Sequence, residues 1–313
     1  MAGCWPHIGR ARARCHSIDS PKSRAAEHNH VSRIGMALLT TAVATFVLGL
    51  SEAAPQTGGF SETLRNIKRC NGESPPSPAA QIRGCTLLIE AGNETKTLLI
   101  AYNNRGNALA KNGDYEAAIK DYDAAIKLSP EFAKAFNNRG LVYRKKGEYA
   151  QALEDFAEAI RLDDKYARAF ANRAATLEKI HAYERAWRDY DTGAALQPGL
   201  SEVWSGLCWT QAIIGELHAA LDACNKAVTM RPDDAATLDS RALVQLKMGQ
   251  FDLAIEDFNA ALRMQPRLAS ALYGRGLIRL KAGDVAGGEA DLAAAKEIEP
   301  TVNAEFSRFG VEQ

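Results

Sequence analysis

Prolines recur in a register of 34 residues, at Pro130, Pro198, Pro232, Pro266 and Pro300, with Asp164 in the one missing place. A register this long is kept by a stack of like supersecondary units, each contacting only its neighbours. Such a chain is built to present a long surface, not to enclose a reacting centre. The frames run 99–132, 133–166, 167–200, 201–234, 235–268 and 269–302.

Aligned frame on frame, the residues sort by size. The fourth position holds Tyr102, Phe136, Phe170, Trp204, Leu238 and Leu272, and the twenty-fourth Tyr122, Phe156, Tyr190, Cys224, Phe258 and Leu292. The eighth is small (Gly106, Gly140, Ala174, Cys208, Ala242, Gly276), and the twentieth and twenty-seventh are alanine or glycine throughout. Small residues at fixed places let two helix backbones approach, while the large ones fill the gaps between them. Each frame reads as helix, turn, helix. In the second, Ala135, Phe136, Gly140 and Tyr143 keep helical spacing up to the break at Lys146-Gly147-Glu148, and Tyr149, Ala152, Phe156 and Ile160 resume it. Gly113, Gly147, Gly215, Gly249 and Gly283 repeat the break, and His181 replaces it in the third frame. The proline follows the second helix, which it cannot continue.

This set of large, small and proline positions resembles the tetratricopeptide repeat, in six registered copies covering residues 99–302. The resemblance implies an all-α fold, a right-handed α-solenoid of antiparallel helix pairs. It also implies that the first helices line a concave face through their second, fifth, sixth, ninth, twelfth and thirteenth positions. One departure is systematic. The seventh position, usually leucine in the family, is Arg105, Arg139, Arg173, Arg241 and Arg275, with Leu207 the exception. These arginines are expected to be partly buried and to bond a neighbouring helix end.

The first 53 residues differ in kind. A basic leader precedes Ile34–Leu50, a 17-residue run without a charge, and small residues follow around Ala53. That order reads as a secretory signal cleaved before Ala54, with a retained membrane anchor as the alternative. Residues 54–62 are expected to be a flexible lead. Residues 63–98 read as a degenerate entry hairpin, in which Ile82, Cys85, Leu88 and Ile89 repeat the second-helix pattern 37 residues ahead of the array. Residues 303–313 read as a C-terminal capping helix, because Phe306, Phe309 and Gly310 copy the fourth, seventh and eighth positions of a further first helix.

Cys4 and Cys15 fall in the leader, which leaves Cys70, Cys85, Cys208 and Cys224. Residues equidistant from the turn of an antiparallel hairpin sit level with each other. Cys208 and Cys224 are equidistant from Glu216, and Cys70 and Cys85 flank the proline-rich turn around Pro76. Both pairs are placed to form disulfides, as an oxidising compartment allows. The other reading is that cysteine at the eighth position serves only as a small residue.

Catalytic, metal and cofactor signatures do not emerge. His181 and His218 are the only histidines after the leader, and no helical His pair, Cys-x-x-Cys, phosphate loop or Gly-x-Ser-x-Gly elbow occurs. Removal of the leader leaves 32 basic against 35 acidic residues, a balance that argues against bulk nucleic-acid binding. No enzyme activity and no cofactor are expected. A membrane is expected to be met only through an uncleaved N-terminal segment.

The expected partner is a protein or peptide held in the concave groove. Its first half carries Asn103, Asn104, Asn137, Asn138 and Asn172, whose amides donate and accept together and suit an extended backbone. Lys134, Arg144 and Arg168 make that half basic. The resemblance places Asn107, Asn138 and Arg168 where some family members clamp a C-terminal carboxylate, although Asn103 and Asn172 replace the cations expected beside them. The second half is apolar, with Trp209, Leu243 and Leu277 at inward positions beside Ile213, Leu246, Tyr273 and Leu280. It reads either as a cradle for a partner's hydrophobic anchors or as close packing between first helices. The chain is therefore expected to be an exported interaction scaffold, secreted or periplasmic. A homo-oligomeric envelope protein whose concave face binds its own terminus and an accessory subunit of an envelope enzyme are the alternatives.

Overall fold

The computed structural model describes residues 57–73 and 77–311; the leader, its apolar run and the expected cleavage point lie outside them. The described residues form helices without a strand. The entry hairpin is α1 (Thr57–Asn71) and α2 (Pro78–Glu90). The first helices of the six repeats are α3 (Thr95–Asn112), α5 (Ala133–Lys146), α7 (Ala167–Lys179), α9 (Ser201–Ile214), α11 (Ala235–Lys247) and α13 (Ala269–Lys281). Their partners are α4 (Tyr115–Leu128), α6 (Tyr149–Leu162), α8 (Tyr183–Leu196), α10 (Leu217–Met230), α12 (Phe251–Met264) and α14 (Val285–Ile298), and a short α15 (Val302–Arg308) follows. Two boundaries depart from expectation. Helix α1 starts at Thr57, inside the stretch read as a flexible lead, and α3 starts four residues ahead of its frame.

The turns follow from backbone sterics. Gly113, Gly147, Gly215, Gly249 and Gly283 all have φ between 75° and 91°, which L side chains rarely adopt. His181 takes the same turn at φ 59°, a strained conformation for a residue with a Cβ. Asp234 stands at the N-cap of α11, but its carboxylate accepts from Thr237 Oγ1 instead of a backbone N–H.

Within each hairpin the small and large positions interlock as their sizes require. A Cβ on Gly106 would come within 2.7 Å of the Tyr122 ring, and one on Gly140 within 2.9 Å of Phe156. Ala118, Ala152, Ala186, Ala220 and Ala254 are fully buried where the paired backbones approach.

The seventh-position arginines do something other than cap a helix end. Each forks onto the aspartate sixteen residues later, at the middle of the paired helix: Arg105 onto Asp121, Arg139 onto Asp155, Arg173 onto Asp189, Arg241 onto Asp257 and Arg275 onto Asp291. Both bonds of every fork lie between 2.6 and 2.9 Å, and all five aspartates are buried. Bidentate geometry of this kind is the strong form of a charge-assisted bond. Most of these arginines also reach the preceding repeat. Arg139 meets Asp123, Arg241 meets Asn225, Arg275 meets Asn259, and Arg105 meets Thr86.

The two hairpins without the fork carry a disulfide instead. In α9–α10 the fork positions are Leu207 and Ala223, and next to them Cys208 and Cys224 are bonded with their Cα atoms 4.7 Å apart. In α1–α2, Arg69 faces Gly84, which has no carboxylate, and next to them Cys70 and Cys85 are bonded at the same Cα separation. A hairpin of this array is clasped by an ion pair or by a cystine, never by both.

Candidate functional site

The stack is curved, and its curvature locates the site. Each first helix touches the first helix of the next repeat, from α1–α3 through α11–α13, whereas no second helix in the described residues touches its counterpart. The first helices therefore lie on the inside of the curve. Their free faces form the concave surface.

Along the first half of that surface the asparagines form one directed chain of hydrogen bonds. The Asn172 amide donates to Asn137 at 2.8 Å, Asn137 to Asn138 at 3.2 Å, and Asn138 to Asn103 at 3.0 Å. Asn103 then donates to Asn104, and Asn104 to Asn71, each at 3.3 Å. Six amides on four successive first helices thus share one donor direction. Asn103 and Asn137 are only 7% and 3% exposed, so they serve as buried rungs between helices. Asn104, Asn138 and Asn172 are half-buried, and each keeps an amide hydrogen and a lone pair beyond those the chain uses.

The remaining candidates of this half take separate places. Asn107 accepts from the Tyr122 hydroxyl at 2.8 Å, which ties it to the hairpin core. Lys134 and Arg168 are exposed. Arg168, Asn138, Asn172, Tyr166 and Glu202 line a pocket of about 230 Å³ at the ladder's end. Arg144 is half-buried, and burial holds its guanidinium below its ordinary pKa.

The ladder ends for a steric reason. At the sixth position of the fourth repeat, asparagine gives way to Gly206, and a Cβ there would lie 2.2 Å from the Tyr190 ring. That ring turns in beside Glu178, whose Oε1 is buried without a hydrogen-bond partner. Burial pushes the Glu178 carboxyl up to about 7, against the pull of Tyr190, Lys179 and Arg144. Glu178, Glu202 and Trp209 line a second pocket of about 270 Å³, which continues the path from the ladder toward the apolar half.

The apolar half is covered, and by this chain's own C-terminus. Helix α15 touches α13 and α14 of the last repeat, and aromatic side chains at and just beyond its end reach further along the inner face. Phe306 packs on Tyr273 with ring centroids 4.7 Å apart, and Phe309 meets Trp209 edge-on at 5.0 Å. Trp209 belongs to the fourth repeat, two repeats back from the α13–α14 pair that α15 follows. The residue just beyond α15 therefore reaches two repeats back along the inner face. Leu243, Leu277, Val302, Phe306 and Phe309 form one buried cluster, with Trp209, Ile213 and Leu246 packed against it. The Phe306 and Phe309 spacing was legible as apolar periodicity. Its destination depended on long-range curvature, which no local pattern encodes.

An all-helical repeat array with a lined inner face defines a class of interaction scaffold. Family comparison gives the family: models described as TPR repeat and tetratricopeptide repeat match residues 106–147, 133–166 and 240–302, and the chain is a tetratricopeptide-repeat protein. No curated protein matches the sequence. Among solved structures, PilF of Pseudomonas aeruginosa aligns over 69% of this chain and 98% of its own, at 18% identity and a TM-score of 0.59. A tetratricopeptide repeat protein from Parabacteroides merdae aligns over 80% of this chain and 99% of its own, at 15% identity and a TM-score of 0.57. At these identities the likeness is one of fold. None of the helices in the described residues is long and apolar enough to cross a membrane.

Proposed function

We propose that this protein is an exported interaction scaffold that takes up an extended segment of a protein partner along the asparagine half of its concave face. The observation that carries this reading is the directed amide chain. Ladder bonds fix the amides of Asn104, Asn138 and Asn172 before any ligand arrives, so little side-chain entropy is lost on binding. Each presents one donor and one acceptor, the pair a peptide group needs, without reading the side chains of the segment. The exposed Lys134 and Arg168 favour a segment with acidic residues. Export is supported by the two disulfides, which persist in an oxidising compartment.

The test is affinity capture with the chain lacking its first 53 residues, then titration of the captured segment. Asn138→Ala combined with Asn172→Ala should weaken binding several-fold and leave the helical circular-dichroism signal unchanged. Normal binding by that variant, with loss of binding on changing second-helix residues, would assign function to the outer surface. Mass analysis of the protein from its native cell tests export, for which a full-length cytoplasmic chain is the contrary result.

A further inference from the structure

We infer that α15 is a tethered, exchangeable occupant of the apolar half of the groove, and that this half takes a partner helix bearing two aromatic side chains three residues apart. Seven residues are too few for a helix to hold itself together, so the position of α15 is set by what it packs against. Its buried side chains are Val302 and Phe306, joined by Phe309 just beyond its end, while Asn303, Ala304, Glu305, Ser307 and Arg308 are exposed. One apolar stripe at helical spacing, laid into a groove of aromatic and aliphatic side chains, is the way an amphipathic partner helix is bound.

Two observations support this reading. Of the two aromatic anchors, Tyr273 lies in the last repeat, but Trp209 lies two repeats earlier. Beside Gly310 and Val311 lies a cavity of about 620 Å³, walled by Leu246, Phe251, Leu277 and Leu280 and rimmed by Lys247 and Lys281. A longer partner helix can present the same aromatic pair and fill the cavity as well. It must compete with a tethered segment, whose effective concentration for a short linker is of order millimolar.

The experiment uses the full chain and a variant carrying Phe306→Ala and Phe309→Ala. The probe is a fluorescein-labelled synthetic peptide of residues 299–313, read by anisotropy. The variant should bind the peptide at least about tenfold more tightly than the unaltered chain, because its tethered competitor has lost both rings. A peptide with both phenylalanines replaced by alanine should not bind, and Trp209→Ala in the double variant should abolish the gain. Equal affinity for both chains would overturn the inference. So would loss of helical signal in the variant that added peptide does not restore, since α15 would then be a fixed cap. A concentration-dependent dimer of the unaltered chain that the double variant abolishes would give the groove to a second copy, and would overturn the partner-helix reading.

Discussion

Arg173 donates Nε and Nη2 to the two carboxylate oxygens of Asp189 at 2.7 and 2.8 Å, and the same fork joins four other hairpins of the array. Breaking one such pair strands a buried charge, which typically costs about 3–5 kcal/mol. Arg173→Leu or Asp189→Ala alone should therefore destabilise strongly in urea unfolding. The chain itself supplies the control, because the fourth repeat has leucine and alanine at these positions. The Arg173→Leu, Asp189→Ala pair should recover most of the loss, with a coupling energy above about 1 kcal/mol. Additive losses would mean that the fork is not a unit.

Exported protein should label no cysteine of the described chain on alkylation before reduction. The 70–85 and 208–224 bridges span 15 and 16 residues, a length worth about 3 kcal/mol each by unfolded-chain entropy. Cys208→Ser with Cys224→Ser should lower the urea midpoint accordingly. Four free thiols would refute both bridges.

Glu178 sets a pH dependence whose sign follows from its environment. Its carboxyl is raised by burial to about 7, against about 4.3 in an unfolded chain. The folded state thus binds the proton more tightly, so this stabilisation is complete below about pH 4 and is lost as pH rises through 7. Glu178→Gln should stabilise the protein by about 3–4 kcal/mol at pH 8 and change it little at pH 4. Denaturant midpoints across that range check the slope, and a gain confined to acid pH would contradict it.

Gly206→Ala should displace the Tyr190 ring and destabilise by about 1–3 kcal/mol. Because that ring marks the end of the asparagine ladder, near-ultraviolet circular dichroism should report the loss before helical content changes. A neutral alanine would show that the ring has room to move.

His181→Gly should act in the opposite direction. His181 is the only non-glycine residue at positive φ among the described residues, and relieving it should gain about 0.5–1 kcal/mol. The loss of its 2.9 Å contact with the Tyr183 hydroxyl works against this gain. Thermal melts of the two proteins decide the balance.

The repeat register made the fold legible, because one period predicts the size of every side chain at the hairpin interfaces. It also placed both cystines, since level positions in a hairpin depend only on distance from the turn. The arginine column stood out as a departure, but its partners were missed. An aspartate sixteen residues on is one acidic residue among many until the two helices are laid side by side. Asparagines 34 residues apart suggested a row of amides, whereas their bonding to one another and to Asn71 required the spacing between adjacent first helices. Helix α15 was least legible. Phe306 and Phe309 copy the positions of a further first helix, whereas the reach of Phe309 to Trp209, two repeats back, depends on the curvature.

The alternation of ion-pair and cystine clasps has a mechanical consequence. An array pulled from its ends would lengthen hairpin by hairpin as charged forks part. The two cystine hairpins would behave otherwise, each withholding roughly 50 Å of contour, the extended length of about 15 residues. Under tension in an oxidising environment the chain is a spring with two inextensible links, one at its entry and one beneath Trp209. Reduction would release both.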